Sequence, residues 1–261
     1  MPGGKGVPEA FHRYWIALDA LAADVRPTPW GAVVSHGGAP DVWDLNYARL
    51  DADRAISLGE IEDALLPALR ENGVAVEHIL SFRPLAHRTV LDELIARGHR
   101  LGWDALLAAT RSAEPIRDVE VRELDADELP AVVADILRDG FAVQPEAAIE
   151  QLVRLNRDVL RSAGKRWFGV RDDGRVVSAG TFLPIDGVAY VDDVATLPPW
   201  RGRGFASAVV RRIVVEARAA GAGEVYLLAD PDAPTVIAMY ERLGFREVGR
   251  LASTRGATPV A

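Results

Sequence analysis

The sequence predicts an α/β protein of α+β type, with a mixed, mostly antiparallel sheet flanked by helices and two similar halves. Three observations predict it. Apolar residues at helical spacing alternate along the chain with short β-rich runs. Three β-rich runs past the middle are joined only by Asp172-Asp173-Gly174 and Asp186-Gly187, and Asp-Gly between such runs marks tight hairpins because its turn wants positive φ. Finally, the order strand, helix, strand, helix ending in Gly, strand describes both Val42–Ala109 and Val188–Leu251, with Gly98 and Gly244 in matching places. This points to a divergent internal duplication. The linker is read at Ser112-Ala113-Glu114-Pro115, dividing the chain into residues 1–114 and 115–261.

Pro8 to Asp24 carries Phe11, Trp15, Leu18, Leu21 and Ala22 at helical spacing and is expected to be an amphipathic helix. After Pro27 and Pro29, Trp30 to Ser35 is a short β-rich run ended by His36-Gly37-Gly38. Val42 to Leu50 reads as a half-buried strand, because Trp43, Leu45 and Tyr47 alternate with polar residues. In Ile56 to Arg70, Ser57 can cap a helix and Glu60, three residues on, completes a capping box; Ile61, Leu65, Leu66 and Leu69 form its apolar face. Val74 to Phe82 is a strand, His87 to Arg97 a helix closed by Gly98, and Leu101 to Ala109 a strand.

Beyond the linker, Val119 to Leu124 is a strand and Asp125 to Arg138 a helix with Asp125 as its cap. Pro145 to Ala163 is a longer helix. Trp167 to Arg171, Arg175 to Ile185 and Val188 to Leu197 form the meander. A glycine-rich turn, a helix (Phe205 to Ala220), a strand (Glu224 to Ala229), a helix (Ala233 to Leu243) and a strand (Arg246 to Leu251) complete the chain.

Composition narrows the function. With 261 residues and 49% hydrophobic content the chain can bury a sizeable core. A formal charge of −8 disfavours phosphate-backbone binding, which needs Lys and Arg to replace counterions, so no nucleic-acid partner is expected. The absence of cysteine excludes disulfides, thiolate nucleophiles and cysteine zinc sites. The five histidines (His12, His36, His78, His87 and His99) show no metal-ligand spacing, so no metal is expected. There is no G-x-S-x-G elbow for a serine hydrolase. Trp15, Trp30, Trp43 and Trp103 read as core of the first half. Asp19 and Asp24 interrupt the only apolar stretch at the N-terminus, so neither a signal peptide nor a membrane span is read, and a cytoplasmic protein is expected.

One run carries chemistry: Val191-Asp192-Asp193-Val194-Ala195-Thr196-Leu197-Pro198-Pro199-Trp200-Arg201-Gly202-Arg203-Gly204-Phe205-Ala206-Ser207. A strand enters a turn with two glycines, and a helix with an apolar face follows at once. Amides at a helix N-terminus lack internal partners and carry the positive end of the dipole, so they can hold an anion. Glycines let that backbone approach closely, and Arg201 and Arg203 add charge. A dinucleotide fingerprint fits worse, because Ser207 stands where a third Gly or Ala belongs and the preceding elements are antiparallel. A P-loop would need Gly-Lys-Ser/Thr. The bland alternative is an ordinary strand–helix turn.

Arg201-Gly202-Arg203-Gly204-Phe205-Ala206 resembles the R/Q-x-x-G-x-G/A signature of the GNAT superfamily of acyltransferases. Met239-Tyr240-Glu241-Arg242-Leu243-Gly244-Phe245 resembles the same family's L-Y-E-K-L-G-F. Two separated motifs in the right order, with a meander before them, are far more specific than either alone. The resemblance covers about the last 145 residues well and the first 110 weakly, as a degenerate copy. There the corresponding turn, Asp51-Ala52-Asp53-Arg54-Ala55, has no glycine and two carboxylates that would repel a pyrophosphate.

The resemblance implies an acyl-CoA co-substrate, most simply acetyl-CoA, whose pyrophosphate sits on Arg201–Ser207 and whose pantetheine arm pairs with the backbone of Val194, Ala195 and Thr196. It implies that a backbone N–H near Ala195–Leu197 polarises the thioester carbonyl, and that Tyr240 protonates the departing thiolate. The general base is read as Asp192 or Asp193, one on each face of the strand by alternation; both also fit as plain strand-edge carboxylates or as a site for the acceptor's ammonium. Asp230 and Asp232 are further candidates. Many members carry Asn seven residues before the tyrosine, where this chain has Ala233.

The expected activity is transfer of an acyl group, most often acetyl, from CoA to an amine of a small molecule or peptide. Two rivals remain: an acyl-CoA sensor without turnover, and a relative that ligates amino acids from charged tRNA on tandem GNAT-like domains. The net charge of −8 and the intact CoA-type loop argue against the second. Acceptor, acyl length and oligomeric state are not readable by motif.

Overall fold

The computed structural model describes residues 6–110 and 119–257. The linker read at Ser112–Pro115 lies outside the described residues. Contacts divide the chain into two compact units, Met1–Leu106 with Val248–Ala261, and Leu107–Glu247. The expected halves met at a single cut between 114 and 115; in the structure the last residues return to the first unit.

In the first unit, α1 (Glu9–Ala22) leads into β1 (Asp24–Thr28), β2 (Gly31–Ser35) and β3 (Tyr47–Leu50), then α2 (Leu58–Glu71), β4 (Val76–Ser81), α3 (Arg88–Ala96) and β5 (Arg100–Ala109), whose last three residues belong to the second unit. The first three strands pair antiparallel, β3 and β4 run parallel, and the C-terminal part of β11 (Phe245–Ala257) pairs antiparallel with β4 from Ala252↔Ser81 to Ala257↔Val76. The core lies between this sheet and α2 and α3, around Leu50, Ile61, Leu65, Leu69, Ile79, Val90 and Leu94.

One strand here was not read and one expectation needs correction. β1 runs through Pro27. It is an edge strand, where a missing N–H costs no ladder bond. The strand expected from Val42 begins only at Tyr47, and Trp43–Leu45 is a 3-10 turn. Buried Asn46 holds that turn: its amide donates to the Ala39 and Val42 carbonyls, and its Oδ1 accepts from the His36 N–H. The capping box at α2 forms as read. Ser57 Oγ accepts from the Glu60 amide and the Glu60 carboxylate accepts from the Ser57 amide.

In the second unit, β6 (Arg122–Glu123) is followed by α4 (Leu129–Asp135) and α5 (Glu146–Leu155), each running on into one π-helical turn, at Ile136–Gly140 and Asn156–Leu160. Asp125 does not cap α4 with its side chain; its amide instead donates to the Glu128 carboxylate, and the helix starts later than read. The meander β7 (Arg166–Asp172), β8 (Arg175–Ile185) and β9 (Val188–Thr196) is antiparallel. α6 (Phe205–Ala219) returns the chain to β10 (Glu224–Ala229), parallel to β9, and α7 (Pro234–Arg242) leads to β11. Val209, Val210, Ile213, Val214 and Ala217 of α6 are buried on one side of this sheet; α4 and α5 supply the core on the other. The mixed, mostly antiparallel sheet flanked by helices is the fold class the sequence predicts.

Candidate active site

The site begins with an interruption in β9. Thr181 pairs with Asp192, but Ala179 pairs with Ala195, so Asp193 and Val194 together face Gly180. This is a β-bulge, which bends a strand and re-aims its side chains. Asp193 takes the extra turn at φ 53°, and the strict alternation expected of Asp192 and Asp193 stops at this pair. Gly180 suits the crowding opposite: a Cβ there would lie 3.0 Å from Val194 Cγ2 and 3.1 Å from Ile213 Cδ1. Pairing of β9 with β10 ends just before the bulge, at Val191↔Leu227. Beyond it, the β10-facing edge of β9 is open.

Alternation of backbone groups tells which residues use that edge. The Leu197 amide donates to the Val177 carbonyl of β8, so Leu197 and, two residues back, Ala195 direct their backbone to β8. The Ala195 carbonyl also accepts from Ser178 Oγ. Of the stretch expected to meet a ligand through its backbone, Val194 and Thr196 face the opening, and Ala195 and Leu197 do not.

The turn after β9 has the expected glycine geometry. Gly202 and Gly204 sit at φ 76° and 83°, a region costly for residues with a Cβ. Gly204 is the N-cap of α6 and supplies no side chain; the first recorded helical bond runs from Ala208 N–H to the Gly204 carbonyl. The amides of Phe205, Ala206 and Ser207 therefore precede the helical ladder and are available to an anion. The corresponding helix of the first unit is closed. Ser57 and Glu60 cap α2, and the Ser57 amide, with help from Arg54, holds the Glu60 carboxyl down at about 2. An anion meets a carboxylate at one helix start and bare amides at the other.

Arg201 and Arg203 do less than their charge suggests. Arg201 donates from Nε to the Thr196 carbonyl and from Nη2 to the Gly140 carbonyl, at 3.0 and 3.1 Å. Arg203 lies 3.9 Å from Asp172 Oδ2. In this state Arg201 ties the turn to the end of α4's π-turn, and the amides are the open donors.

Tyr240, on α7, is buried, with its ring edge toward Phe245 at 5.8 Å between centroids. Burial pushes its phenol up to about 12, and the Asp192 charge adds to the push. Asp192 itself is solvent-exposed by area yet enclosed by protein, as in a cleft. That enclosure, and then the Asp193 charge, raise its carboxyl to about 6, while Lys165 and the Asp193 amide pull the other way. Asp192 and Tyr240 thus share one electrostatic neighbourhood. Asp230 does not join it through a recorded contact: its carboxylate accepts the Asp232 N–H in the turn before α7, where Ala233 is an N-cap without a side-chain bond.

Sequence reasoning missed Lys165. Its ammonium is buried just before β7 and lies 2.9 Å from Asp193 Oδ2 and 5.3 Å from the Trp167 ring centroid. The available signal was its rarity, one of two lysines in an arginine-rich chain. The bulge that brings Asp193 to it has no local signature except Gly180, 13 residues earlier in sequence. No group of three or more His, Cys, Asp or Glu suited to a metal occurs among the described residues.

The open edge of β9 thus lies beside an uncapped helix start, with Asp192 next to the bulge and Tyr240 within reach of its charge. Residues 121–245 match the model of the acetyltransferase (GNAT) family. Among solved structures, the GCN5-related N-acetyltransferase from Kribbella flavida is 19% identical with a TM-score of 0.69, covering 98% of this chain and 97% of that one. That from Sphaerobacter thermophilus is 18% identical with a TM-score of 0.57, over 77% and 65%. These show the same fold. An acetyltransferase from the GNAT family of Novosphingobium aromaticivorans is 25% identical with a TM-score of 0.46, and this chain spans 64% of its length and matches over 60% of its own. No curated protein matches the sequence.

Proposed function

We propose that the protein is an acyl-CoA-dependent N-acyltransferase, most simply an acetyltransferase, acting on an amine of a small molecule or peptide by direct attack in a ternary complex. The observation that carries this reading is the opening of β9 from β10 at the bulge, beside the uncapped N-terminus of α6. The family model over the same residues supports it.

Acyl-CoA supplies the acyl group already activated as a thioester. The amides of Phe205, Ala206 and Ser207, reached across Gly202 and Gly204, hold its pyrophosphate, and the open edge at Val194 and Thr196 takes its arm. An alkylamine is protonated near ~10.4, so a base must take a proton before its nitrogen attacks the carbonyl carbon. Asp192 or Asp193 takes it. As the carbon–sulfur bond breaks, Tyr240 gives its proton to the leaving sulfur. A phenol near 12 is a poor donor at rest, but one cause of that value is the Asp192 charge. A proton received at Asp192 removes that charge and makes Tyr240 the better acid as the thiolate leaves.

The matching element order and the parallel pairs β3–β4 and β9–β10 support a tandem origin with a degenerate first copy. Its capped α2 and the carboxylates of Asp51 and Asp53 leave it no acyl-CoA site.

Titration of acetyl-CoA into the protein by calorimetry tests the reading, with Gly204→Glu alongside. Binding to wild type and not to the folded variant is the expected result. No binding to wild type would overturn the proposal. Binding without acyl transfer to any amine, and so without release of free CoA, would leave an acyl-CoA sensor.

A further inference from the structure

The two adjacent carboxylates at the bulge are held very differently. Asp193 sits at φ 53°, its Oδ2 is 2.9 Å from the buried Lys165 ammonium, and its N–H donates to Asp192 Oδ1 at 2.9 Å. Asp192 has no cation within ion-pair distance among the described residues, and its side chain is open to solvent. A carboxylate locked to a buried ammonium is a weak proton acceptor, because protonating it would strand the cation. Its neighbour, carrying the same charge without the lock, is the one free to accept.

We infer that Lys165 is a positioning residue which, by pairing with Asp193, assigns the role of proton acceptor to Asp192. This deepens the acyltransferase reading and rests on it for the identity of the proton donor, an amine. The pairing itself stands on geometry alone.

The charged and titratable groups facing Asp192 are Asp193 on its own strand, Lys165 from the segment before β7, and Tyr240 on α7. Their signs give the expected responses. Lys165 favours the Asp192 anion, so its removal raises the Asp192 midpoint. Asp193 disfavours that anion, so neutralising it lowers the midpoint. The choice of lysine over arginine also follows: a compact ammonium fits the buried space beside Trp167 and makes one short contact, where a guanidinium would span both carboxylates.

The test is a carbon-13 NMR titration of the aspartate side chains in the full-length protein, with Asp192→Asn assigning the resonance. Lys165→Met is expected to raise the Asp192 midpoint by about one pH unit, and Asp193→Asn to lower it by a similar amount. Lys165→Arg, whose guanidinium would reach both carboxylates, should lower the Asp192 midpoint, and the Lys165→Met/Asp193→Asn double variant should fall between the two singles. If Lys165→Met does not fold, as judged by circular dichroism, Asp193→Asn alone decides the sign. An Asp192 midpoint that ignores both substitutions, or an Asp193 that titrates above Asp192, overturns the inference. The acid limb of acetyl-CoA hydrolysis, followed by thiol release with water as acceptor, should move with the NMR midpoints. Loss of rate at every pH with the limb fixed would make Lys165 merely structural. Failure to bind acetyl-CoA would overturn the acyltransferase reading and leave the NMR shifts standing.

Discussion

At the scale of the residue, Tyr240 and Asp19 show what burial does to a titrating group. Tyr240→Phe removes only the phenolic hydroxyl and little volume, so acetyl-CoA should bind within about threefold of wild type. Turnover should fall on the order of 100-fold, the usual worth of a positioned acid. Calorimetry and a thiol-release assay measure the two separately. Asp19, on the buried face of α1, accepts from Tyr47 and pairs with Arg49, which also pairs with Asp51 at 3.0 Å. Burial outweighs these partners and raises its carboxyl to about 6. A raised folded value stabilises the fold below the unfolded pKa near 3.8, and that contribution is lost as pH climbs through about 6. The stability difference between wild type and Asp19→Asn should therefore shrink between pH 4 and 7, by about 2–3 kcal/mol at most. Urea melts at several pH values measure it; a widening difference would contradict the assignment.

At the scale of the element, two helix starts of like position have opposite chemistry. α2 is capped by its own Ser57 and Glu60, so Ser57→Ala should cost about 1 kcal/mol of stability and leave acetyl-CoA affinity unchanged. Thermal melts and calorimetry check both halves of that statement. α6 begins at a left-handed Gly204 with no cap. What a structural helix gets from its own side chains, α6 lacks, and the proposed function assigns that place to the pyrophosphate of acyl-CoA. The capping box was legible because it is a local pattern of two residues three apart. The bulge in β9 was not, because it is defined by register against β8 and appears in the sequence only as an unremarkable Gly180. Ala195 and Leu197 were expected among the ligand's partners for the same reason: which backbone groups face an open edge depends on the neighbouring strand.

At the scale of the whole molecule, the return of residues 248–257 to the first unit has a consequence for any attempt to divide the chain. Ala252 to Ala257 pair along β4 from Ser81 to Val76, most of that strand being buried. A chain ending at Glu247 would expose the ladder groups of a buried strand, the condition that promotes aggregation. Such a truncation should lose its cooperative melt or precipitate. A soluble product with an unchanged melting temperature would show that β11 is dispensable.

The sequence by itself determined the order of helices and strands, the meander and its Asp-Gly turns, the capping box and the glycine turn before α6. Each is written in residues a few positions apart, where periodicity and local sterics act. It also carried two motifs that resemble those of the acetyltransferase (GNAT) family, because those motifs are local too. Tertiary structure alone decided that β11 completes the first unit, that Arg201 binds carbonyls, and that Val194 and Thr196 face the opening. It alone joined Lys165 to Asp193 across 28 residues of sequence. These are outcomes of register and burial, which depend on what the rest of the chain brings alongside.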